Sequence, residues 1–182
     1  MAATVLIKHY TGTSGSPTLT DVSWLNTRYN TSDTHASSGT STPIPVPTSG
    51  TNYGYWVALR ADCTVTPAVS LANLRWYSDG ASGLPTGVTV KVAEATSYVQ
   101  ATGTSGTTGL QLTVGNYPTL TAPPVDLFTY TAGSPLAISG SLANPTTGPF
   151  GSWFVLQMEV ASTATGPGVL SLETLGFVFD EV

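Results

Sequence analysis

The sequence predicts an all-β protein, a two-sheet antiparallel β-sandwich of jelly-roll or Greek-key type with about eight strands. Three observations predict it. Apolar and polar residues alternate over short runs, and no stretch sustains a 3.6-residue apolar period over helical length. The 19 Gly and 13 Pro break the chain every few residues. A length of 182 residues suits one sandwich, so residues 1–182 are expected to form a single domain.

Val5, Leu6, Ile7 and Tyr10 make an opening strand, closed by the turn-rich run Gly12 to Pro17. Val22 to Tyr29 reads as a second strand. A long Pro/Ser/Thr-rich loop follows over residues 30–52, in which Pro43-Ile-Pro-Val-Pro47 should lie extended, because proline cannot donate to a ladder. From Tyr53 to Cys63 a strand is expected with Tyr53, Tyr55, Val57, Leu59, Ala61 and Cys63 on its core face, which makes Cys63 a buried free thiol. Leu71 to Tyr77 and Val88 to Val92 read as sandwich strands, and Val92 to Gln100 as a stretch able to turn briefly helical.

Leu110, Leu112 and Val114 mark a further strand. Residues 116–148 carry five prolines and can hold only short pieces, such as Leu136 to Ser139. Two strong strands close the chain: Phe154, Leu156, Met158 and Val160 alternate with Trp153, Gln157 and Glu159, and Leu170 and Leu172 alternate with Ser171 and Glu173. Gly176 marks a bulge or bend before Phe177-Val-Phe179. Thr-Gly-Thr-Ser-Gly occurs at 11–15 and again at 102–106, each time where a hairpin or loop is expected.

Composition narrows function. Charged residues are 8% of the chain, hydrophobic residues 41%, and the net charge is -5, which argues for a folded protein with a neutral, hydroxyl-rich surface. Five Lys and Arg are too few for direct nucleic-acid binding. No apolar run approaches the roughly 20 residues a membrane helix needs. The single Cys63 excludes an intrachain disulfide, and Met1 to Lys8 lacks the order of a signal peptide, so synthesis in the cytoplasm is expected. A surface with so little charge is poorly defended against association, and burial between subunits would explain it.

No residue set reads as catalytic, and no cofactor or metal is expected. His9 and His35 are the two histidines; His35 lies in Asp33-Thr-His-Ala-Ser37, expected to be a solvated or interface loop, since triad members converge from separate rigid elements. Glu159 and Glu173 could be neighbours across a ladder, or two ordinary solvent-facing carboxylates. Asp62 and Asp79-Gly80 read as turn-forming residues rather than calcium ligands. Of the tryptophans, Trp56 and Trp153 fall opposite the apolar stripes of their strands. They are candidates for an interface or a ligand surface, the other reading being rings packed under loops. Ile44 and Val46, set between prolines, are candidate contacts to a neighbouring subunit.

The tail Leu172-Glu-Thr-Leu-Gly-Phe-Val-Phe-Asp-Glu-Val182 and the stretch Tyr53 to Gly80, with Asn73-Leu-Arg-Trp-Tyr-Ser-Asp-Gly80 at its end, resemble strands of jelly-roll virion structural proteins of tailed bacteriophages. They cover less than a quarter of the chain. The resemblance implies a capsid decoration or auxiliary protein, or a tail component, located in the virion. It implies a homo-oligomer, a trimer favoured, that also contacts other virion proteins such as the major capsid protein. The chain departs from decoration proteins that carry an N-terminal arm, because its first strand is expected within a few residues of Met1. The alternative is a carbohydrate-binding or adhesin-like sandwich, which would gather aromatic rings on one exposed face.

Overall fold

The computed structural model describes residues 2–37, 41–67, 69–144, 146–165 and 173–181. Among them the regular elements are strands and one short 3-10 turn. β1 (Thr4–Thr11) and β2 (Thr18–Asp21) form a hairpin, followed after the long loop by β3 (Thr51–Tyr53), β4 (Val57–Val65), β5 (Ser70–Ser78) and β6 (Val88–Ala95). A small hairpin, β7 (Gly103–Thr104) and β8 (Thr108–Gly109), comes next. The proline-rich stretch holds β9 (Val125–Asp126), the 3-10 turn Leu127–Thr129, β10 (Leu136–Ala137) and β11 (Leu142–Ala143), before β12 (Gly148–Ala161) and β13 (Leu175–Glu181).

Two sheets carry the architecture. In the larger, the order is β2, β1, β4, β12, β6, β9, with β3 paired to β12 in line with β4; every pairing is antiparallel. In the smaller, β5 is central, flanked on one edge by β13 and on the other by β10 and β11 in succession. Neighbours such as β4 and β12 are far apart in the chain, so the larger sheet is held by long-range pairing.

The main core lies between the sheets. Val57, Leu59, Ala61 and Cys63 of β4, Val88, Val90 and Val92 of β6, and Phe154, Leu156, Met158 and Val160 of β12 meet Leu71, Leu74 and Trp76 of β5. These are the stripes that period-two alternation predicts, and Cys63 is buried among them. Opposite faces of the same strands are also covered. Ala58, Ala95, Val155 and Trp56 pack beneath Tyr98, Ala101, Leu112 and Tyr117 from the irregular segment that follows β6. The larger sheet is therefore buried on both sides, one by a second sheet and one by a loop.

Gln157 ties that loop down. Fully buried on β12, its amide donates to the carbonyls of Gly54 and Leu110, at 2.7 Å each, and its carbonyl accepts from the Leu112 N–H. Three backbone groups with no ladder partner are thereby satisfied.

Several expectations are corrected. Val22 to Tyr29 is not a strand; the hairpin partner of β1 is Thr18–Asp21, and the Asp21 carboxylate then accepts from the Ser23 N–H and hydroxyl, turning the chain out of the sheet. The expected strand Tyr53 to Cys63 is broken at 54–56, where the Tyr55 N–H bonds Asn30 O and Gly54 O is taken by Gln157. Leu110 to Val114 forms no strand, since Leu112 bonds the Gln157 side chain rather than a neighbour's backbone. β6 runs on to Ala95, so no helix forms from Val92. The bulge near the C-terminus sits between Val178 and Asp180, whereas Gly176 stays in register with Tyr77. Leu170 and Leu172 lie outside the described residues. Both copies of Thr-Gly-Thr-Ser-Gly fall in hairpins, β1–β2 and β7–β8.

Of the two stretches that carry the virion resemblance, the later part of the first, β5, lies beside the described part of the second, β13, while the earlier part, β4, belongs to the larger sheet. Asp180 accepts from Asn73 Nδ2 at 2.8 Å and pairs with Arg75 Nη2 at 2.7 Å. Asn73 holds a left-handed conformation, φ 51°, which an amide side chain tolerates.

Candidate functional site

The expected contact residues are scattered. Ile44 turns inward and packs against the main core, with its Cδ1 over Gly54. It is half-buried there, so part of its side chain already serves its own core. Val46, two residues on, is 48% exposed. The loop around them is bonded down by Thr31 N–H to Thr42 O, by the Thr31 and Thr42 hydroxyls, and by Asn52 to Pro45 O. Trp56, at 4% exposure, is sealed under the loop after β6, edge-on to Tyr117 and with its indole N–H donating to Val99 O. No outside partner can reach it, and of the two readings open for this ring, packing under a loop is the one observed.

The sequence pattern missed Trp24. It stands 93% exposed, followed by Leu25 at 51%, just beyond the end of β2, where Leu19 is 49% exposed. Among the described residues β2 pairs with β1 alone, so its outer ladder edge is open. The Asp21 turn lifts Trp24 from the sheet surface, and reading residues 22–29 as a strand hid this.

A second feature surrounds Trp153. Between the pairs Phe150–Ala61 and Phe154–Leu59, three residues of β12, Gly151 to Trp153, face only Arg60 of β4. This bulge is built from glycine: Gly151 has φ +68°, and a Cβ there would sit 2.9 Å from Leu74. The bulge opens a cleft of about 340 Å³ whose walls are Arg60, Trp153 and Ser152 on one side, Ser139 to Ser141 from the break between β10 and β11 on another, with Thr96 and Pro149 at its margins. The Arg60 guanidinium lies 4.0 Å above the Trp153 ring, and its Nε donates to Gly151 O at 2.8 Å. Tyr10 meets the edge of the same indole, and burial holds its phenol above the ordinary range.

The histidines come together, although they are 26 residues apart. His9 is buried on β1, and its Nδ1 lies 3.2 Å from Nδ1 of His35. Burial first, and the neighbouring His35 second, lower the His9 pKa to about 4. Asp33 does not join the pair; it accepts from the Gly12 N–H and from Gln100 Nε2. The loop expected to be solvated or at an interface is thus fastened to β1 through the histidine contact. Glu159 and Glu173 are not ladder neighbours, since Glu159 accepts from the Thr89 hydroxyl within the larger sheet and Glu173 from the Gly83 N–H beside the smaller. Asp79 accepts from Ala81 N–H, a turn contact. Among the described residues no three His, Cys, Asp or Glu side chains gather as a metal site requires. Nor is any helix there long and apolar enough to cross a membrane.

No family model, curated protein or solved structure matches the chain.

Proposed function

We propose that this chain is a structural subunit of a tailed-bacteriophage virion, of the capsid decoration or auxiliary class, working as a closed homo-oligomer. The observation that carries the assembly half of this reading is Trp24, 93% exposed beside Leu25 and the open edge of β2. Leaving a large aromatic ring in water forgoes about 1.5–3 kcal/mol that burial would return, and Trp, with Tyr and Arg, is enriched at the energetic centres of interfaces.

The occupant proposed for this surface is a second copy of the chain. With 8% charged residues there is little to hold identical surfaces apart, and Asp21, the one acid in β2, is already opposed by Lys8 at 3.8 Å. An open strand edge flanked by neutral Thr side chains is a ready template for a neighbouring chain. The virion half rests on the resemblance of Tyr53–Gly80 and Leu172–Val182 to phage jelly-roll strands, and on a surface suited to burial in a particle.

The test is the double variant Trp24→Ser, Leu25→Ser. It should retain the fold, lose oligomeric mass in solution and fail to join particles. A variant that still assembles as the parent does would overturn the reading.

A further inference from the structure

We infer that the cleft at the β12 bulge is a binding site for a monosaccharide unit bearing a single carboxylate, a uronic-acid-type ring. This is independent of the assembly reading, because the cleft uses none of the residues around Trp24.

Among the described residues the ion pairs are Lys8 with Asp21 and Arg75 with Asp180, so Arg60 has no carboxylate within ion-pair distance there. Its position is nevertheless set, by the stack on Trp153 and the bond from Nε to Gly151 O. The Tyr10 phenol also lies beside the guanidinium and draws on it, but a guanidinium held by its face and its Nε still has terminal N–H groups for a planar acceptor, and a carboxylate matches that fork. Stacking rather than ion pairing orients the cation without neutralising it.

The rest of the wall selects what carries the carboxylate. Ser139, Ser141, Ser152 and Thr96 surround the cleft, and each hydroxyl can donate or accept, which suits a ring of hydroxyls. At about 340 Å³ the space lies near the lower bound of ligand pockets, roughly 300 Å³, so a single ring fits better than a chain of them. Asp62 follows two residues after Arg60 on the same face of β4, opposite Pro149. Together with a net charge of -5, it disfavours polyanions such as sulfated chains.

The bulge is what makes the site. Gly140, φ +109°, touches Gly151 so closely that a Cβ would lie 2.8 Å from the Gly151 Cα. Two glycines thus bring the β10–β11 connection against β12, and Ser152 N–H bonds Ser139 O at 2.7 Å, fixing the two walls relative to each other.

The experiment is a titration of the intact protein with glucuronic acid and, separately, with its neutral counterpart glucose, followed by the Trp153 indole and Gly151 amide NMR signals. Glucuronic acid should shift both saturably, and glucose should bind at least tenfold more weakly. Arg60→Gln should abolish the response. Because that variant also loses the stack on Trp153, Ser141→Tyr serves as a second: it fills the cleft from an exposed wall, leaves Arg60 untouched, and should abolish binding as well. Equal binding of glucose and glucuronic acid, no saturable shift with either, or unchanged binding in Ser141→Tyr would each overturn the assignment.

Discussion

His9 and His35 share one hydrogen bond between their Nδ1 atoms, 3.2 Å apart, with the rings edge to face. One ring must donate and the other accept, so the contact tolerates at most one added proton and a second breaks it. His9 takes protons at about pH 4 in the fold, against 6.5 in the unfolded chain. Between those values the unfolded state binds more protons, so stability falls as pH falls. About 2 kcal/mol should be lost between pH 7 and pH 5, approaching about 3 below pH 4. Burial lowers His35 too and adds to the slope, while Asp33, raised by burial, opposes it only near the carboxylate range. Urea unfolding at pH 7 and pH 5 measures this, and His9→Phe should flatten the difference; an equal slope in that variant would place the effect elsewhere.

Gln157→Leu should cost on the order of 3 kcal/mol or more, because Gly54 O, Leu110 O and Leu112 N–H lose their partner together. Chemical denaturation gives the magnitude. Hydrogen exchange should rise across residues 96–120 before it rises in β4 or β6, since the loop is what Gln157 anchors.

Much of this was legible beforehand and some was not, for physical reasons. The stripes Val88, Val90, Val92 and Phe154, Leu156, Met158, Val160 follow the two-residue period of a strand packed on one side, and they face the main core. The cover on the other face could not be seen, because Tyr98, Leu112 and Tyr117 come from an irregular segment whose spacing obeys no period. For the same reason the alternation placed Gln157 opposite the apolar stripe but gave no sign that it would be fully buried. Trp24 was hidden by the Asp21 side-chain turn, and the cleft by a bulge whose one trace in the sequence is Gly151 inside an apolar strand.

Gly151→Ala should destabilise by about 1–3 kcal/mol, through a positive φ and a Cβ pressed on Leu74. The melting temperature reports the cost, and Trp153 fluorescence should change as the bulge shifts and the Arg60 stack loosens. An unchanged Trp153 signal would mean that the bulge does not set the indole.

Cys63 should resist thiol reagents in the native state. It is buried, its Sγ–H donates to Val65 O at 3.0 Å, and burial pushes the thiol pKa up. Labelling should follow global unfolding in urea; fast modification without denaturant would show that the end of β4 opens locally.

Oligomeric mass tests the central claim most directly. Native mass measurement of the unmodified chain over a range of concentrations should give a discrete multiple of 18.7 kDa, a trimer favoured, with Trp24 emission shifted to the blue on assembly. A single 18.7 kDa species at every concentration, with Trp24 still emitting as in water, would contradict the account.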